Sequence, residues 1–255
     1  EYFPATRIQG PFTQVFIAKA GGEIVGAATR AIRPTFLNGE IIDGGYLSDL
    51  RLVPKFRRGM TLARGYRYLR ELHRDGRTAI YTTVIVEDNE IALKTLGANR
   101  AGMPSYLDQG RILTPMISLK KRLPEIPAAI RSGTPEDLPA IVSKLNEKKM
   151  QFQPVYSEGN LIDGRFQNLE AKDFRLLFRE GKLVGVMAAW NQRPFRQTVI
   201  KNYSGAVGVL RPLVNLFRSP PLPATNEPLS FFYIAFAATD SVEDYRTLLR
   251  SSLAK

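Results

Sequence analysis

The sequence predicts an α/β protein built in two successive copies, and three observations carry that reading. Two hairpins of the same layout stand far apart in the chain, one over residues 14–30 and one over 174–190. Each is followed by a further strand pattern and then a helical one. After the first hairpin a strand runs into a basic, glycine-bearing turn, Lys55-Phe56-Arg57-Arg58-Gly59, which opens the helix. A length of 255 residues, 44% hydrophobic and 24% charged, suits a soluble globular chain of two ordinary domains. The expected division is residues 1–122 and 123–255.

Residues 14–19 (QVFIAK) give the first strand, Gly21-Gly22 the turn, and 23–30 (EIVGAATR) the return strand. The strand pattern resumes in 40–43 and again in 46–53, where Leu47, Asp49 and Arg51 alternate with Ser48, Leu50 and Leu52. A helix is expected over 61–74, with Leu62, Tyr66, Leu69 and His73 on one face. Gly76 ends it. The β-branched run 77–86 (RTAIYTTVIV) predicts a buried central strand. A short helix over 89–96 follows, stopped by Gly97. Charge and proline in 120–128 (KKRLPEIPA) read as a linker.

The second copy opens with a strand at 129–131. Thr134 then caps a helix, with Pro135 at its first position and Asp137 reaching back. Leu138, Ile141, Val142 and Leu145 keep helical spacing. Strands at 174–179 and 182–190 flank Glu180-Gly181, and a strand at 229–238 precedes a helix at 242–253. Between them, 210–228 holds five prolines and reads as a connecting loop. The alternative is that it lines a groove between the copies with Trp190, Asn191 and Gln192. Nothing after the last helix matches the strand and short helix at 77–96, and nothing in the first copy matches the opening at 129–145.

Composition excludes several chemistries. The chain has no cysteine, which removes disulfides, thiol catalysis and thiolate metal sites. The single histidine, His73, rules out a histidine metal cluster, and its place at a helix end gives it a structural reading. No metal is expected. No run approaches the ~18 apolar residues of a membrane span, and no signal-peptide pattern is present. A cytoplasmic location and no membrane partner are the expectations. The formal net charge of +12 fits nucleic acid or a phosphorylated ligand. Nine Arg or Lys fall in 51–77 against Glu71 and Asp75. Arg67, Arg70 and Arg74 read as a solvated helix face, with Arg67, Glu71 and Asp75 in i,i+4 contact. Arg57 and Arg58 lie in the turn and are candidates for ligand contact.

A strand that delivers a glycine turn into a helix start is suited to phosphate. The first N–H groups of a helix lack internal partners, and the dipole adds positive charge there. Arginine forks at the same corner match phosphate oxygens.

These residues resemble the GNAT superfamily of acyl-CoA-dependent N-acyltransferases. The likeness spans residues 14–119 and rests on Val53-Pro54, on the turn Arg57-Arg58-Gly59-Met60-Thr61, and on Asn89-Glu90-Ile91-Ala92. The segment from Gly102 to Tyr106 and the restart at Ala129 resemble a tandem subgroup with a degenerate second copy. Two departures stand out: one residue, not two, separates Arg57 from Gly59, and Thr61 replaces a small residue. Position 96 is leucine where the family often has a tyrosine serving as general acid.

The resemblance implies a mixed, mostly antiparallel central sheet flanked by helices, twice over. It implies acetyl-CoA as co-substrate and a small-molecule or peptide amine as acceptor. The backbone of Arg58, Gly59, Met60 and Thr61 would cradle the pyrophosphate, beside Arg57. The main chain of Leu50 and Leu52 would pair with the pantetheine arm, and Asn89 would hold the arm or cap its own helix. Asp49 is the candidate base, or else an ion-pair partner of Arg51 or of a neighbouring strand, while Glu87 and Asp88 are weaker candidates. Tyr106 is the candidate acid, or else a packed tyrosine. In the second copy, Thr239-Asp240-Ser241-Val242-Glu243-Asp244 has three acids where phosphate would bind. Two rivals remain open: a GNAT-fold protein that binds acyl-CoA or a partner without catalysis, and a basic nucleic-acid-binding protein.

Overall fold

The computed structural model describes residues 5–57, 59–98, 103–117, 127, 129–217 and 221–253. Contacts divide the chain into two units. The first is Tyr2–Leu113 with Lys149–Val155, the second Thr114–Lys148 with Tyr156–Lys255. The expected linker at 120–128 lies almost wholly outside the described residues.

In the first unit, Gly21 and Gly22 both take positive φ, 58° and 85°, as a two-residue hairpin turn requires. Strand β1 (Phe12–Ala20) therefore folds back as β2 (Glu23–Leu37). A second tight turn at Asn38-Gly39 returns the chain as β3 (Glu40–Leu52). The two strand patterns expected at 40–43 and 46–53 are thus one strand. Gly44 and Gly45 interrupt the alternation but pair with Arg33 and Ile32.

Strand β4 (Tyr81–Thr82) joins β3 in parallel, completing the order β1-β2-β3-β4. This corrects the buried central strand expected over 77–86. Only two residues pair, at the sheet edge, and Val84 and Val86 are 59% and 68% exposed. Beyond the pair, the chain stays close to β3 through side chains: Thr82 Oγ1 donates to Gly45 O at 3.2 Å and Thr83 Oγ1 to Leu47 O at 2.8 Å. Composition signalled extended backbone correctly but could not say how much of it finds a ladder partner.

Helix α1 (Thr61–His73) follows β3, and the short α2 (Glu90–Leu96) follows β4. Leu69 is the buried centre of the α1 stripe, and Gly76 takes φ 69° past the helix end. Where β1 ends opposite Ile32, residues 152–155 take over the free edge of β2. Phe36 N–H donates to Gln153 O, Phe152 N–H to Phe36 O, and Val155 N–H to Pro34 O, all at 2.8–2.9 Å.

The first unit also buries a charge. Arg30, on β2, is fully buried and donates to Asp75 through both terminal nitrogens (2.7 and 2.8 Å), to Gln14 at 2.8 Å, and through Nε to the Tyr81 hydroxyl at 2.9 Å. Tyr81 lies against Gly45, where a Cβ would come within 2.2 Å of its ring. The expected Arg67–Glu71–Asp75 ladder is therefore replaced. Asp75 faces Arg30 and Arg77, while Glu71 pairs with Arg74 at 2.5 Å. His73, the last residue of α1, packs edge-on against Tyr81.

The second unit carries β5 (Ile130–Ser132), α3 (Leu138–Asn146), α4 (Glu158–Ile162), β6 (Phe174–Arg179), β7 (Lys182–Trp190), α5 (Val207–Phe217), β8 (Tyr233–Thr239) and α6 (Val242–Ser252). Its sheet runs β5-β6-β7-β8, antiparallel throughout. Thr134 and Asp137 form the expected capping box, although the first turn is 3-10. Ile141 and Leu145 bury the α3 stripe, and Ile130, Leu177, Val184, Met187 and Leu248 form the core. The loop expected at 210–228 instead begins inside α5, a helix with Pro212 within it and no buried residue. Proline density pointed to a loop, but Val207, Leu210, Val214 and Phe217 kept helical spacing through it.

Both sheets show the same irregularity in the strand that precedes a helix. The β2–β3 register slips between Ala27 and Thr29, and the β7–β8 register between Val186 and Ala188. Asp49 takes φ 56° at the first bulge and Phe236 takes φ 50° at the second. A non-glycine residue there is uncommon.

Candidate functional site

The bulge places Asp49 on an opened part of the sheet. Pairing between β3 and β4 stops at Tyr46 and Thr82. From Leu47 to Leu52, no described strand hydrogen-bonds to that side of β3. Leu50 is 46% exposed and Leu52 is partly buried. The backbone expected to receive an extended arm thus lacks a strand neighbour along one edge, although Arg57 Nε already donates to the Leu52 carbonyl there.

Asp49 is held by Gln9 and Ser48, not by Arg51. Gln9 Nε2 donates to Asp49 Oδ2 at 3.3 Å, and the Ser48 hydroxyl lies 2.7 Å from Gln9 Oε1 and 3.1 Å from Asp49 Oδ2. Gln9 belongs to a 3-10 turn ahead of β1, forty residues away in sequence. No local pattern could have indicated it.

The chain leaves β3 through a 3-10 turn at Pro54–Phe56 and enters α1. Gly59 takes φ 142°, and a Cβ on it would meet nothing within 4 Å. Met60 precedes the helix without any side-chain cap, and the first turn holds no acid. The leading N–H groups of α1 are therefore left to an outside acceptor. Arg57 is exposed and donates from Nε to Leu52 O at 3.1 Å, which leaves its terminal nitrogens available. Thr61 is half-buried. Arg58 lies outside the described residues.

Tyr106 lies in an irregular segment and touches α1: its hydroxyl is 2.7 Å from that of Tyr66. Burial raises the pKa of both phenols above the usual range. Both are therefore protonated at neutral pH. Tyr66 stands five residues into α1, roughly 7.5 Å along the axis from its start at ~1.5 Å per residue. Its stripe position explained its packing, but nothing in the sequence paired it with Tyr106. Asn89 acts as the cap of α2, accepting from Ala92 N–H at 3.2 Å. Glu87 is exposed and pairs with Arg111 at 3.1 Å. Among the described residues, no group of three or more acidic or histidine side chains is placed to hold a metal.

The strand-to-helix corner of the second unit is closed. Ser241 caps α6 by accepting from Asp244 N–H at 3.1 Å and donates to the Asp244 carboxylate at 2.6 Å. Asp244 is buried and accepts from Arg179 Nε at 2.8 Å. Asp240 accepts from the buried Lys144, which also pairs with Glu147. These bonds lower both aspartate pKa values, so both carboxylates stay ionised against their cations and the helix start is taken by the chain's own side chains.

No family profile and no curated sequence matches the chain. Solved structures overlap part of it. The aminoglycoside N-acetyltransferase AAC(6')-Iy in complex with CoA gives a TM-score of 0.34 at 19% identity, over 40% of this chain and 74% of that one. AAC(6')-IG, an aminoglycoside 6'-N-acetyltransferase from Acinetobacter haemolyticus, gives 0.36 at 13% identity, over 45% and 77%. A transcriptional regulator from Bacillus halodurans gives 0.35 at 13% identity, over 41% and 66%. At such loose superposition, what the chain does has to be argued from its own geometry.

Proposed function

We propose that the first unit is an N-acyltransferase that takes an acyl group, acetyl in the simplest case, from acyl-CoA to a primary amine. The observation that carries this reading is the continuity of one ligand path. A bulged strand with an open edge leads through a glycine turn into a helix whose first N–H groups are uncapped. Main chain along residues 50–52 would pair with the amide-bearing arm, and Gly59, Met60, Thr61 and the arginines at 57 and 58 would meet the phosphates. Asn89 already caps α2 and could still hold the arm through its free amide nitrogen.

Amide formation requires a proton to leave the amine and another to reach the departing thiolate. Asp49, fixed by Gln9 and Ser48, would take the first. The Tyr106–Tyr66 pair would supply the second, since one hydroxyl donates within the pair and the other proton stays free. The second unit would be a degenerate copy: the same hairpin, bulged strand and helix, but a corner whose helix start is taken by the chain's own side chains. Residues 1–122 and 123–255 would then be the two copies, with 149–155 returned to the first.

Calorimetric titration of the full chain with acetyl-CoA, with free CoA as competitor, tests the site. One equivalent should bind. Arg57→Glu should weaken binding several-fold, less so at high salt. A chain that binds duplex DNA tightly and CoA not at all would overturn the proposal, and CoA binding without turnover on any amine would reduce it to a binding protein.

A further inference from the structure

The second unit holds a buried arginine whose Nε has no hydrogen-bond acceptor among the described residues. Arg165, between α4 and β6, is 7% exposed, and its buried Nε donates to no described residue. The nearest carboxylate oxygen, Asp163 Oδ2, is 3.9 Å from Nε, beyond hydrogen-bond reach. The other oxygen of Asp163 already accepts from the Arg165 backbone N–H at 2.8 Å.

The other buried cations among the described residues are treated differently. Arg30 makes four side-chain hydrogen bonds, two of them to one carboxylate. Lys144 is bonded to both Glu147 and Asp240. A buried donor without an acceptor is costly, so the Nε of Arg165 calls for an acceptor that the described residues do not supply.

Its surroundings indicate what kind. The guanidinium lies over the Phe166 ring at 4.8 Å, and Phe166 joins Tyr156 and Phe236, both only half-buried. The Arg165 loop is tied to the turn after β7 by Trp190 Nε1 donating to Gln167 O and Asn168 Nδ2 donating to Asn191 O, both at 2.8 Å. In that turn Gln192 is also buried, and its Oε1 has no partner. Asp163 close by argues for one negative charge and against two.

We propose that Arg165 is the anion-recognising residue of a small-molecule site in the second unit, and that its ligand carries a single carboxylate beside an aromatic or apolar body. The planar fork can donate to both carboxylate oxygens, and the Phe166 side offers a surface for the rest of the molecule. This site needs no acyl-CoA, so it stands or falls apart from the function proposed for the first unit.

Benzoate is the probe, added to the full-length chain at constant ionic strength against a chloride control. The arginine Nε–Hε NMR resonance assigned to Arg165 through its loss in Arg165→Lys should shift saturably. By calorimetry, Arg165→Met should bind at least about tenfold more weakly, and Arg165→Lys should fall between it and wild type. If Arg165→Met does not fold, the wild-type titration decides. An equal shift with chloride, an equal or larger one with inorganic phosphate, or no saturable shift up to about 20 mM benzoate would overturn the proposal.

Discussion

Asp49 occupies a backbone position that few side chains accept, and that makes its chemistry separable from its fold. At φ 56° an asparagine is as comfortable as an aspartate. Asp49→Asn should therefore preserve the bulge and CoA affinity while lowering turnover by roughly 100-fold, the scale of general-base loss. A steady-state assay beside a CoA titration checks both halves, and unchanged turnover would remove Asp49 from the chemistry. Arg30 and Asp75 allow a test of stability. The Arg30 guanidinium holds the Asp75 carboxyl well below its ordinary pKa. A carboxyl depressed by folding contributes stability above its unfolded pKa, about 4, and loses it as pH falls further. Asp75→Asn should thus be less stable than wild type at pH 7, with the gap closing on acidification. It should also be more damaging than Arg30→Met, because it strands a fully buried cation, whereas Asp75 is 30% exposed and can rehydrate. Urea unfolding at two pH values measures both orders.

The two helices that follow bulged strands, α1 and α6, differ at their first residues, and the difference should be exchangeable. Met60→Asp supplies α1 with the side-chain cap and the acid it lacks. Stability should rise by up to ~0.5 kcal/mol, while CoA binding weakens at least about tenfold as charge repulsion replaces an open N-terminus. Ser241→Ala removes the cap of α6 and should cost ~1 kcal/mol with no effect on CoA. Thermal unfolding and CoA calorimetry on both variants give four numbers, and equal CoA responses would contradict the assignment of ligand to one corner alone. At this scale much was legible: the Gly21-Gly22 and Glu180-Gly181 turns, the capping box at Thr134, and the stripe of α1 are written in local spacing. What escaped was non-local. Arg30 meets Asp75 across 45 positions and Gln9 meets Asp49 across 40, distances over which periodicity carries no signal. The run at 77–86 failed for a related reason, since extended propensity does not reveal whether a neighbouring strand runs alongside it.

At the scale of the whole chain, the first unit is made of two separate stretches of sequence, and this has consequences for dividing the molecule. Residues 152–155 hold the edge of β2 through three backbone hydrogen bonds, and Gln151 adds side-chain bonds to Asn38. A cut near residue 121 keeps β1 to β4, α1 and α2 but uncovers the main chain of residues 34–38. Uncovered edges pair with one another. The shortened chain should therefore bind CoA within a small factor of the full chain, yet unfold at lower temperature and self-associate in proportion to concentration. Sedimentation velocity at two loadings detects the association. Adding a peptide of residues 149–156 should reverse it, because the peptide restores the missing edge bonds. Residues 129–255 alone should bind no CoA, since Ser241, Asp240 and Asp244 close their corner. CoA bound chiefly by that second piece would show that the wrong helix start had been assigned to the phosphates. A shortened first piece that stays monomeric and as stable as the full chain would show that the 152–155 edge contributes nothing.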